Sequence, residues 1–185
     1  MSDEARSIWR WRQVGALDVS MGMLLLLGVV LAWGLPDDLY DRSPVARGFA
    51  DAIASVVRGI EELASISSFP GLTRIMFATL WSCVPLVAAY IAFAPGVLKW
   101  DVTPLRAMPR LVQLAIVGMF ITVSIVGPIL ISFDHDVLEG NSLFDIVIRF
   151  ASTHRLGLGL FAGSYCAVSA LFLALLPTYL SGRNR

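Results

Sequence analysis

The chain has 185 residues, 57% of them hydrophobic and only 15% charged, with a mean hydropathy of +0.75 and no net charge. A water-soluble domain is about 45–50% apolar and about 25% charged, so this balance excludes an ordinary soluble globule, and neutrality gives nucleic acid no electrostatic footing as a partner. The two cysteines, Cys83 and Cys166, stand apart inside apolar runs, which argues against a thiol–disulfide carrier built on C-x-x-C.

A helix needs about 20 apolar residues to cross the hydrocarbon core of a bilayer. The first such run extends from Val14 to Leu35, behind a tail holding Arg6, Arg10 and Arg12. Its end, Ala32-Trp33-Gly34, has the small-x-small form of a signal-peptide cleavage site. The charged region before it is long and Asp18 lies inside it, so the run is expected to stay attached as an anchor.

The following loop predicts one amphipathic helix over about 44–66. Val45, Phe49, Ile53, Val56, Val57, Ile60 and Leu63 recur at spacings of three and four, while Arg47, Asp51, Ser55, Arg58, Glu61 and Glu62 take the opposite face. Ser43-Pro44 supplies a capping hydroxyl and a first-turn proline. Phe49, Ile53, Val56, Val57 and Ile60 form a candidate partner-docking face, and the plainer alternative is a lid against the membrane helices or the interface.

A second run covers about Leu72 to Ala94, with Pro85 inside it, and a third covers about Leu111 to Phe133, with Pro128. Between them lies a short loop holding Lys99, Arg106 and Arg110. The stretch from Ala94 to Phe120 resembles a bacterial group of small four-helix membrane proteins, in which a loop with Gly, Thr/Ser-Pro and a Leu-Arg step leads into the third span. Gly96, Thr103, Pro104, Leu105 and Arg106 are the matching positions. The resemblance carries no catalytic motif and implies no activity.

The next loop gathers His135, Asp136, Glu139 and His154, with Asp134, as weak candidate metal ligands. Gly140-Asn141 reads as a turn and no H-E-x-x-H is present, so a solvated acidic loop is the expectation there. Ser142 is placed to cap a short helix over Leu143–Ala151, with Asp145 and Arg149 four apart. The fourth run, about Leu156 to Leu180, carries Gly159, Gly163 and Ala167 at intervals of four. Gly28 with Ala32, Ala78 with Ser82 and Gly118 with Thr122 are similar small pairs. Such residues let helix backbones approach closely, either inside one protein or between proteins.

Eight cations lie in the two tails and the loop between the second and third runs, against six on the other side, where ten acids also lie. The positive-inside rule then puts both termini in the cytoplasm. Trp9, Trp11, Trp33 and Trp100 fall at run ends, as interfacial belts require, and the two halves share one plan of span, acidic outer loop and span. The expected fold is an all-α, single-domain membrane protein over 1–185. It has four transmembrane helices in a bundle, an amphipathic extracytoplasmic helix between spans 1 and 2, and a shorter one between spans 3 and 4. The setting is the cytoplasmic membrane of a bacterium.

No catalytic motif and no cofactor motif is legible, and Asp18 is the only acid within a run. The expected role is therefore non-enzymatic: an accessory or assembly subunit binding another membrane protein. A small homo-oligomeric transporter or channel is one alternative. A membrane immunity protein against a pore-forming toxin is another.

Overall fold

Nineteen residues without a proline, from Ala16 to Gly34, form the first helix, α1. They belong to a computed structural model that describes residues 16–94, 108–122 and 142–181. Seven more helices follow among these residues: α2 (Leu39–Arg42), α3 (Pro44–Ala54), α4 (Gly59–Ile66), α5 (Pro70–Phe93), α6 (Arg110–Ile121), α7 (Leu143–Thr153) and α8 (Arg155–Ser181). No strand occurs among them. Among the described residues three helices are long and apolar enough to cross a membrane, within α1, α5 and α8. At 1.5 Å per residue these three run about 29, 36 and 40 Å. The third predicted span begins as α6, a shorter apolar helix, and its continuation beyond residue 122 lies outside the described residues.

The central element is α8, which packs against α1, α5, α6 and α7. Phe77 of α5 meets Phe161 of α8 at 6.3 Å between ring centroids, and Trp81 meets Tyr165 edge-on at 6.3 Å. The constant offset makes these two helices parallel. Against α1 the register runs the other way, because Gly28 and Ala32 lie opposite Gly159 while Leu24 and Leu25 lie opposite Gly163. One core cluster joins all three helices, with Leu24 and Ala32 from α1, Met76, Leu80 and Val84 from α5, and Leu158, Ala162, Cys166 and Ala170 from α8. Both cysteines are free thiols, Cys166 buried and Cys83 half-buried against the same cluster.

The end of the body where α1 finishes and α5 and α8 begin is capped by α2, α3, α4 and α7. Ser43 starts α3 as expected, its Oγ accepting from the Ala46 amide at 3.2 Å with Pro44 at the first position. The single amphipathic helix expected over 44–66 is two helices instead. Ser55 turns its hydroxyl onto the Ala52 carbonyl at 2.7 Å, and two β-branched valines then precede Arg58 and the buried Gly59, a sequence with weak helix propensity. A straight helix of that length would extend about 34 Å. The turn instead lays both α3 and α4 on α5. Ser142 caps α7 reciprocally with Asp145, and α7 runs two residues beyond its expected end. The Asp145 carboxyl is held below its ordinary value, first by the Ser142 hydroxyl and then by the Ser142 amide.

Candidate functional site

Three features of the described residues stand out: the glycine contact between α1 and α8, the charged clamp under α3, and an apolar groove between α1 and α5.

Glycines 159 and 163, with Ala167 one further turn along, face α1. A Cβ at Gly159 would lie 2.8 Å from the Gly28 carbonyl oxygen and 2.9 Å from the Val29 Cα. A Cβ at Gly163 would lie 2.8 Å from the Leu25 Cα and 2.9 Å from the Leu24 carbonyl oxygen. Gly28 presses in turn on the Gly159 carbonyl. Two small-residue pairs noticed separately in the sequence are thus halves of one contact, and Ala167 is buried beside it. Backbones this close gain dispersion contacts and Cα–H···O interactions that no larger side chain permits.

The clamp is built around Tyr40. Gly71, at the start of α5, leaves room for the tyrosine Cβ at 2.9 Å from where its own would be. Two guanidinium groups then lie over the ring, Arg47 at 5.2 Å and Arg74 at 5.1 Å from its centroid. Its hydroxyl donates to Asp51 Oδ1 at 2.6 Å, and that bond raises the Tyr40 pKa above its ordinary value. Arg74 reaches Glu61 of α4 with two nitrogens, Nη2 to Oε2 at 2.7 Å and Nε to Oε1 at 3.1 Å. Arg47 donates to the Tyr40 and Asp41 carbonyls. Cation–π contact and bidentate pairing together fasten α2, α3 and α4 to α5. The sequence marks Arg74 as a span-end residue but nothing in it singles out Tyr40, because its partners lie up to 34 positions away.

Close by, Arg155 at the first position of α8 pairs with Asp37 at 2.6 Å and donates to the carbonyls of Ala32 and Leu35. Those carbonyls lie in the last turn of α1 and one residue beyond it, where a helix leaves acceptors without internal donors. The guanidinium also lies 5.7 Å from the Phe69 ring.

The clamp decides what becomes of the candidate docking face. Ile60 is 1% exposed, and Ile53 and Val57 are half-buried against the core. Phe49 and Val56 stay on the surface at 40% and 63%, joined by Val45 at 82%. The surface that remains is an edge, Val45–Phe49–Val56, along α3 and the turn after it.

The groove, of about 650 Å³, opens between α1 and the second half of α5 and is lined by Val19, Met23, Leu27, Cys83, Leu86 and Tyr90, among others. Among the described residues no charged side chain lines it. Of the four metal candidates, His135, Asp136 and Glu139 lie outside the described residues. His154 caps the end of α7, with Nδ1 2.8 Å from Thr153 Oγ1 and its ring against Phe150. Among the described residues no three His, Cys, Asp or Glu side chains are grouped to hold a metal. Comparison with protein-family models, curated proteins and solved structures gave no match.

Proposed function

We propose that this chain is a non-enzymatic subunit that binds another membrane protein through the Val45–Phe49–Val56 edge. The carrying observation is that the clamp buries one side of α3 and fastens its Arg47 and Asp51 to Tyr40 of α2, yet leaves three large apolar side chains exposed. A pre-positioned apolar edge flanked by charge suits a protein partner, because little conformational entropy is lost on contact. Gly159 and Gly163 are covered by α1, so a homo-oligomer would have to use a different face.

The test replaces Val45 and Phe49 together by Asp in the full chain and follows both stability and assembly in native membranes. The expected outcome is loss of a defined stoichiometric complex by a chain that still folds, Val45 being 82% and Phe49 40% exposed. An undiminished complex overturns the assignment.

In the same reading the chain crosses the bacterial cytoplasmic membrane four times, α6 being the start of the third crossing, with both ends in the cytoplasm. Its support is the cation distribution along the sequence and the packing of α6 on α8. Reporter fusions at the C-terminus are expected to register cytoplasm, and fusions beside Asp51 the opposite side. A cytoplasmic signal at Asp51 inverts the arrangement.

A further inference from the structure

We infer that α7 is an interfacial helix, half-immersed in the lipid at the capped end, with its exposed apolar face in contact with acyl chains. The inference rests on the membrane reading of α1, α5 and α8 and not on the proposed protein partner.

At 100° per residue the eleven positions of α7 divide into three faces. Ile148, Ala151 and Ser152 are buried against the body of the protein. Asp145 and Arg149 lie together on a second face, with Thr153 one turn on. Leu143, Ile146, Val147 and Phe150 occupy a third, an arc of about 100° at this spacing, and all four are exposed, with Phe144 exposed at the margin of the buried face. A helix standing free in water needs only two faces, one against protein and one polar. The third calls for an apolar medium beside the protein and below the water.

The joint with α8 sets the depth at which that medium must lie. Only His154 separates α7 from Arg155, and Gly157 in the first turn of α8 lies directly on the Phe150 carbonyl, where a Cβ would have no room. The end of α7 is therefore fixed at the level where α8 begins. From Arg155 to Pro177 the apolar part of α8 is 23 residues, about 34 Å, slightly more than a hydrocarbon core of about 30 Å. Its first turn is thus at the boundary. Trp33, exposed between Ala32 and Leu35 whose carbonyls Arg155 binds, marks the same level with the residue type that favours the interface. The surroundings at this height are lipid on every side not covered by the protein, and Phe144 and Phe150 suit the region where headgroups give way to chains.

Spin labels on single cysteines test this, in a Cys83→Ala, Cys166→Ala background reconstituted in lipid nanodiscs. Labels at Leu143, Ile146 or Val147 are expected to collide with oxygen more than with a water-soluble nickel chelate. Labels at Asp145 and Arg149 are expected to show the reverse. A label at Leu26, exposed on the flank of α1, serves as the reference for a spanning helix. If Leu26 reads as lipid-facing while Val147 reads as water-facing, the inference is overturned and the membrane reading survives. If Val147 is shielded from both reagents, a protein surface covers α7 and the inference is equally overturned. A water-facing Leu26 overturns both.

Discussion

Replacing Gly163 by Ile is expected to lower the thermal midpoint of the detergent-solubilised chain by roughly 2–10 °C, the equivalent of about 1–3 kcal/mol of overpacking. The added Cβ would stand 2.8 Å from the Leu25 Cα and 2.9 Å from the Leu24 carbonyl oxygen. Both are backbone atoms of a rigid helix, so neither yields as the tip of a flexible side chain would. The strain is relieved only by moving α1 away from α8, which also loosens Gly28 against Gly159. Gly22 is the internal control, on the same α1 helix but with nothing within 4 Å of its missing Cβ. Gly22→Ala should match or exceed the wild type, because Ala is the better helix former. Thermal scans of the monomer decide between these outcomes. Wild-type stability in Gly163→Ile would mean that the two helices do not approach each other as closely as the glycines indicate.

Arg155→Ala is expected to cost about 1–2 kcal/mol and to loosen the end of α1. Hydrogen bonds to charged groups contribute about 1.5–3 kcal/mol, a range lowered here because the Asp37 side chain is 52% exposed and solvent screens the pair. The loss goes beyond one ion pair. Without the guanidinium, Asp37 and the carbonyls of Ala32 and Leu35 lose a shared donor at the junction of three segments. Deuterium uptake by the stretch from Ala32 to Asp37 should rise, alongside a lower thermal midpoint. Arg155→Lys should recover part of the effect, since an ammonium keeps the charge but lacks the planar fork that reaches a carboxylate and two carbonyls together. Unchanged uptake in Arg155→Ala would show that the α1 end is held by other contacts.

The long helices and their starts were legible in the sequence. Unbroken apolar length marked α1, α5 and α8 to within two residues at either end, because burial in lipid selects on composition over about twenty residues at once and does not depend on any neighbour. The caps at Ser43 and Ser142 were legible for a similar reason, since a hydroxyl satisfies amides only three residues away.

What depended on distant residues was not. Spacing alone gave Ile60 and Phe49 the same face of one helix, and it could not register that the helix breaks after Ala54 to follow α5. Packing on α5 buried Ile60 and left Phe49 at the surface. Tyr40 has no local signature, and its contact with both Arg47 and Arg74 exists only once α5 lies beside α2. Small-residue spacing showed that Gly159 and Gly163 could accept a close helix, and only the tertiary structure decided that the helix is α1 of the same chain. The reason is physical. Membrane burial and capping are fixed by composition and by neighbours along the chain, whereas a packing partner is chosen by which surfaces the connecting segments allow to meet.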